Sequence, residues 1–400
     1  MNVVGIIAEY NPMHNGHIYN IKRARELTNA DYVIVIMSGS FTEQGNISCL
    51  NKFDRATIAI ENGADMVIEL PTIYATSSAE NFAFGAVNIL NSLGVVTHLA
   101  FGAETQDINA LKIIANTYLN NKKEIIQNIK KYTKQGINSG EAYTKSLSKF
   151  LDNIPQDLTS PNNLLGIEYI KALLALNSKI EPVLIHRQSS NHLDDNVPIF
   201  GKYASSTSIR NILSDENLLL CEKLNNICDF IPHNTLNYIS SNNYNLNNSL
   251  WDILRYEIIK LNTNGLKNIH EITEGLENKL YKQALTCKNY NEFIFSIKSK
   301  RYTLSKIKRI CVYIILGITK DMFAKLKNVN YARILKVKEN SRKLLAEISN
   351  KSQNAIVSKV TYGAILSLDT NITESIQLDI LSHNLFYESN LDYTNKIIQP

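Results

Sequence analysis

Two histidines, His14 and His17, stand three residues apart in the stretch AEYNPMHNGHIYN, Ala8 to Asn20. On a helical turn that spacing points both imidazoles the same way. Pro12 sets a rigid turn before them, and Gly16 lets a ligand approach the backbone. The first turn of the helix that follows offers unpaired N–H groups and the positive end of a dipole. Such a place suits phosphate, because two imidazoles can stabilise charge that develops on an α-phosphate as pyrophosphate leaves. A metal pair or two surface histidines are the alternatives. A metal would need further ligands, and only Glu9 is an obvious addition to the set. A second stretch, SSTSIR (Ser205 to Arg210), puts hydroxyls and then an arginine at a helix start. Ser206, Thr207 and neighbouring amides can hold phosphates there, and Arg210 supplies a charged fork.

These residues need a scaffold, and the first 215 or so residues alternate strand-like and helix-like segments. VVGIIA, DYVIVIMSG, ADMVIELP, VVTHLAFG and EPVLIHRQ are short apolar runs of the kind that make buried parallel strands. Helical spacing follows each of the first four, and helical segments fill roughly 105 to 177. The alternation predicts a parallel sheet with helices on both faces, whose ligands bind beyond the carboxyl ends of the strands. The His14 loop, MSGS (Met37 to Ser40) and FGAE (Phe101 to Glu104) all lie at such ends. Residues 189 to 204 read as a loop, and Lys22 and Arg23 as the solvated face of the first helix. From about 215 strand signals thin out and helical patterns dominate. The expected organisation is an α/β domain over 1–215 and a mostly α-helical domain over 216–400.

The composition sets limits. A chain of 400 residues with 44% hydrophobic and 20% charged residues is that of a globular protein with more than one core. The N-terminus has no basic region of the signal-peptide kind, and no apolar run approaches a membrane span, which points to the cytoplasm and to no membrane partner. Five cysteines form no CxxC, so free buried thiols are expected and a structural zinc is not. The net charge of +5 permits a nucleic-acid partner without demanding one. Its distribution says more: KSKRYTLSKIKR, Lys298 to Arg309, is densely basic around Tyr302.

An HxGH loop after the first strand, joined to the SSTSIR helix start, resembles the HxGH nucleotidyltransferase superfamily with its Rossmann-like fold. Nearly end to end, the chain resembles one family within it, the bacterial tRNA-Met cytidine acetate ligases. The segments that carry this are GIIAEYNPMHNGH, VIVIMSGSF, GADMVIELP, SAENFAFGAV, FGAE, SPNNLLGIEYIKAL, SSTSIR and SKRYTLSKIKR. The resemblance implies activation of acetate by ATP to acetyl-adenylate, with Mg²⁺ expected to accompany the nucleotide. The acetyl group then passes to N4 of the wobble cytidine of elongator tRNA-Met, with no DNA partner.

By the same resemblance Ile7, Ala8, Glu9, Tyr10, Asn11, Pro12, Met13, His14, Asn15, Gly16, His17, Ile18, Tyr19 and Asn20 line the ATP pocket. Gly102, Asn162 and Arg187 match nucleotide-contact positions, with His14, His17 and Arg210 as the catalytic set and Ser206 and Thr207 beside them. Lys298, Lys300, Arg301, Lys306, Lys308 and Arg309 would meet tRNA phosphates, against the plainer reading of a solvated helix face. Two stretches depart from the family. TEQG (Thr42 to Gly45) lacks the basic residue of a Gln-Arg-Gly pattern, and NHLDD replaces a Tyr-His-Asp-like loop. Asp194 and Asp195 in the latter could hold Mg²⁺ or form a solvated acidic loop. Other small-molecule adenylyltransferases would lack the helical half. A class I aminoacyl-tRNA synthetase would need a Lys-Met-Ser-Lys-Ser loop where SSTSIR stands.

Overall fold

A computed structural model describes the chain except residues 138, 153, 155–157, 159, 187–202, 242–243, 245–249, 274, 300, 359, 362, 365–366, 386 and 388–400. The first half runs β1 (Val3–Ala8), α1 (Asn15–Thr28), β2 (Tyr32–Ser38), α2 (Lys52–Glu61), β3 (Met66–Leu70), the short α3 (Thr72–Ala75), α4 (Ala79–Ser92) and β4 (His98–Ala103). It continues with α5 (Ile108–Asn120), α6 (Lys122–Lys134), α7 (Ser139–Leu147), α8 (Pro161–Ala175), β5 (Glu181–His186) and α9 (Ser206–Ser214). The second half holds α10 (Leu220–Ile227), α11 (His233–Ser240), α12 (Leu250–Leu266), α13 (Leu276–Thr286), α14 (Tyr290–Ile297), α15 (Leu304–Leu316), α16 (Lys320–Leu326), β6 (Tyr331–Val337), α17 (Arg342–Lys351), β7 (Ala355–Val357) and α18 (Thr370–Asn384).

The strands form one sheet in the order β5-β4-β1-β2-β3-β6-β7. The five from the first half are mutually parallel, as the apolar runs predict. Successive side chains of a strand point to opposite faces. Val3, Ile34 and Ile36 therefore enter a core with α4, α8 and the later helices, while Val4, Val33 and Val35 enter another with α1, α2 and α9. Both faces are covered, so the strands carry no polar alternation. After β3 the chain crosses back to place β4 on the other side of β1. The strand order reverses there, and a crevice opens between the carboxyl ends of β1 and β4.

The second half is mostly helical, yet it returns to the sheet. β6 pairs antiparallel with β3, with Ile334 opposite Ile68 and Arg333 opposite Glu69, and β7 pairs parallel with β6. The sheet thus does not end where the expected division at 215/216 falls. Among the described residues no helix is long and apolar enough to cross a membrane. All five cysteines are free; Cys49, Cys287 and Cys311 are buried as expected, whereas Cys221 and Cys228 are exposed.

Candidate functional site

A cavity of about 500 Å³ occupies the crevice at the carboxyl ends of β1 and β4. Its floor is the end of β1, its sides are α1, α8 and the start of α9, and its rim includes the Thr42–Asn46 turn after β2.

The two histidines are built into the start of α1. His14 is the N-cap, with extended backbone, and its Nδ1 accepts from Gly16 N–H at 3.1 Å. His17 is the third helical residue, and its Nδ1 accepts from His14 N–H at 3.2 Å. This is a capping box made from two imidazoles instead of the usual hydroxyl and carboxylate. The rings stack at 3.7 Å between centroids and 25° between planes. With each Nδ1 accepting, the hydrogen-bond pattern assigns the proton of each neutral ring to Nε2. Both residues line the cavity, with the ring proton placed on Nε2. A side chain at Gly16 would sit 2.9 Å from the His14 ring, so glycine is required by contact.

One expectation is corrected here. The first-turn amides are not unpaired: Asn15 N–H donates to Phe230 O at 2.9 Å, Gly16 N–H to His14, and His17 N–H to His14 O at 2.8 Å. Residues far along the chain and the cap itself take these donors. What α1 offers an anion is its dipole and the imidazoles, not a nest of bare amides.

Arg210 reaches the same wall from α9. Its guanidinium donates to Asn11 O at 2.6 Å and to Thr207 Oγ1 at 3.2 Å, and Ser206 Oγ donates to Pro12 O at 3.4 Å. These bonds join the two motifs noted in the sequence, 190 or so residues apart, into one wall. Of the Ile7–Asn20 stretch, Ile7, Ala8, Glu9, Tyr10, Asn11, His14, Gly16, His17, Tyr19 and Asn20 line the cavity. Pro12, Met13, Asn15 and Ile18 do not: Met13 is fully buried, and Asn15 Nδ2 donates to Asp229 O at 2.8 Å. Gly102, Asn162, Ser206 and Thr207 line it too. Arg187, Asp194 and Asp195 lie outside the described residues.

Several participants were not singled out in the sequence. Glu104 accepts from Ser160 Oγ at 2.8 Å and from Asn162 Nδ2 at 2.5 Å, so FGAE orients the amide of SPNN. Arg55, fully buried on α2, donates to Glu9 O at 2.6 Å and Ser38 O at 3.0 Å and ties together the ends of β1 and β2. An arginine on the apolar face of an amphipathic helix was the available signal. Tyr203, within the stretch read as loop, lines the cavity and packs edge-on to Tyr19 at 6.1 Å.

The basic run divides. Lys298 and Arg301 are exposed and Lys306 is half-buried beside Tyr302, 5.2 Å from its ring. Lys308 and Arg309 instead turn inward onto the Thr42–Asn46 turn. Lys308 Nζ donates to Asn46 Oδ1 at 2.9 Å, and Arg309 pairs with Glu43 at 3.1 Å. A guanidinium thus reaches the TEQG turn, which carries no basic residue of its own, from α15. Lys300 lies outside the described residues.

Burial pushes the Glu43 carboxyl up to about 7; Arg309 opposes the shift, and the carboxylates of Glu9 and Glu271 add to it. A carboxyl whose folded pKa is raised contributes stability below its unfolded pKa, near 4.5, and loses it as pH rises through about 7. Relative to Glu43→Gln, the wild-type chain is therefore expected to lose thermal stability between about pH 4.5 and about pH 7 and to level off above that. Melting curves of both chains across that range check this, and parallel curves would refute it.

A sheet with its switch-point cavity, a histidine pair capping the first helix and an arginine from a later helix start define the class. The family model described as HIGH Nucleotidyl Transferase matches residues 1–397. A Clostridium botulinum protein named tRNA(Met) cytidine acetate ligase is 39% identical, over 98% of this chain and 97% of its own. A Clostridium novyi protein of the same name is 35% identical, over 97% and 98%. The crystal structure of Thermotoga maritima TmcAL bound with alpha-thio ATP superposes with a TM-score of 0.87 at 29% identity, covering 99% of this chain and 97% of that one. Its apo form superposes with a TM-score of 0.89 at 30% identity and the same coverage. The chain belongs to the tRNA(Met) cytidine acetate ligase family of the HIGH nucleotidyltransferases.

Proposed function

We propose that this protein is an ATP-dependent ligase that activates acetate as acetyl-adenylate and transfers the acetyl group to N4 of the wobble cytidine of elongator tRNA-Met. The observation that carries this is the pair of imidazole Nε2–H donors and Arg210 on one wall of the switch-point cavity, in a chain aligned nearly end to end with relatives of that name.

Acetate is a poor acyl donor until its oxygen is bonded to a good leaving group, and AMP is one. In this reading His14, His17 and Arg210 neutralise charge on the phosphates as pyrophosphate departs. Mg²⁺ accompanies the nucleotide. Phe82, Phe101, Leu164 and Leu165 give the cavity an apolar side that protects the mixed anhydride from water. No covalent enzyme intermediate is needed. The reaction belongs to the cytoplasm, where tRNA and ATP meet.

Residues 1–215 supply the activating site in this reading, and the helices beyond 216 carry the tRNA. Lys298, Arg301 and Lys306 are its phosphate contacts, whereas Lys308 and Arg309 brace the turn at the cavity. The test is transfer of labelled acetate to bulk tRNA with ATP. Label in a single tRNA species as N4-acetylcytidine is expected. Reversing Lys298, Arg301 and Lys306 to Glu is expected to raise KM for tRNA by about tenfold or more and to lower the salt slope of binding by roughly 1 for each phosphate partner removed. Pyrophosphate exchange with acetate should stay within about twofold, because these side chains lie away from the cavity. Exchange without any labelled tRNA would leave a small-molecule adenylyltransferase as the better description.

A further inference from the structure

Transfer to an exocyclic amine raises a question that ATP activation does not answer. As N4 attacks the acetyl carbon, the N4–C bond forms and the C–O bond to phosphate breaks. AMP leaves with the electron pair on its oxygen, and one N4 proton must go to a base. Most proton-accepting side chains of the cavity are already committed. His14 and His17 use Nδ1 to accept backbone N–H groups and carry the proton on Nε2. Glu104 engages its oxygens with Ser160, Asn162 and the Asn163 amide. Glu43 is paired with Arg309 at 3.1 Å.

Glu9 is different. It follows the last residue of β1, at the carboxyl end where the cavity opens, and it lines that cavity. Its Oε1 accepts from Glu43 N–H at 2.7 Å, which fixes the side chain, and its Oε2 accepts no hydrogen bond from a described residue. We infer that Glu9 is the general base that takes the N4 proton of the acceptor cytidine through Oε2, an inference that rests on the acetyl-transfer reading above.

Burial raises the Glu9 carboxyl above the usual carboxylate range, against the pull of the Glu43 amide, Arg210 and Arg55, and a raised proton affinity makes a better base. The charged and titratable groups that face it are Glu43 from the β2 turn, Arg55 from α2, Arg210 from α9 and Tyr169 from α8. Of these, only the glutamates are bases of suitable strength.

The experiment separates the two half-reactions in the full-length enzyme. Hydroxylamine, a nucleophile that needs no base, traps acetyl-adenylate as hydroxamate, and single-turnover transfer to tRNA reads the second step. Glu9→Gln keeps the oxygen that accepts from Glu43. It is expected to slow transfer by about 10²–10⁴-fold and to erase the acid limb of its pH profile, a loss at least about tenfold larger than any in hydroxamate formation. Glu9→Asp should retain an acid limb. Equal losses in both half-reactions would place Glu9 in the ATP site alone and overturn the inference. So would wild-type transfer by Glu9→Gln, or an acid limb lost instead on replacing His186, which ends β5 and also lines the cavity, by alanine. Wild-type enzyme that forms hydroxamate but labels no tRNA would overturn the acceptor reading, and this inference with it.

Discussion

Replacing His17 by alanine is expected to lower acetate-dependent ATP–pyrophosphate exchange by about 10²–10³-fold, the usual loss when one donor to developing oxyanion charge is removed. The substitution does two things at once. It removes an Nε2–H donor from the cavity, and it removes the acceptor for His14 N–H at 3.2 Å. The second effect costs about 1 kcal/mol of stability, as is typical when a helix cap is removed. It also frees the His14 ring from the 3.7 Å stack that orients it. His17→Gln distinguishes the two effects. A glutamine at the third helical position can accept from the N-cap amide, as in an ordinary capping box. This variant is therefore expected to melt close to wild type while exchange stays depressed. Recovery of exchange with glutamine would show that the ring serves only as a cap.

Replacing Glu69 by alanine is expected to destabilise the protein by about 3–5 kcal/mol, the usual cost of stranding buried partners. Against a total stability of about 5–15 kcal/mol, that is a large fraction. Glu69, on β3, lies between Lys52 Nζ at 2.6 Å and Arg333 at 2.9 Å, and all three side chains are deeply buried. Burial alone would raise the Glu69 carboxyl; Arg333 and Lys52 outweigh it and hold the group below its ordinary range. Arg333 comes from β6 and Lys52 from α2. Asp379 of α18, in the same cluster, accepts from Thr72 N–H at 2.7 Å and Tyr331 OH at 2.8 Å. Removing the carboxylate leaves two buried cations facing each other where the second half of the chain joins the sheet. Chemical denaturation measures the loss, and a change under about 1 kcal/mol would sink this account. Replacing Lys52, Glu69, Arg333 and Asp379 together by Met, Leu, Met and Asn should recover most of the stability, because no unpaired charge then remains and the asparagine oxygen can still accept from Thr72 and Tyr331.

The β1–α1 unit was legible from local pattern because a doubly buried strand is a continuous apolar run, and because residues three apart on a helix meet. That places His14 and His17 together without reference to the rest of the chain. The carboxyl-end position of the site follows from strand–helix alternation, which specifies a parallel sheet before any pairing is known. Family resemblance added Gly102 and Asn162, whereas the SSTSIR start was legible from its own hydroxyls and arginine.

Where distant segments meet was settled only by packing. Tyr331–Val337 falls in the half expected to be mostly helical, yet it pairs as β6 along the edge of β3, where Arg333 meets Glu69. Lys308 and Arg309 share a run with exposed Lys298 and Arg301, yet the facing of α15 turns them onto the Thr42–Asn46 turn. Phe230 O takes the Asn15 amide that local pattern had left for a phosphate. In each case the partner lies far along the chain. Periodicity records which face of an element is buried, but not which charge or edge it is buried against, and that choice is made only when the faces pack.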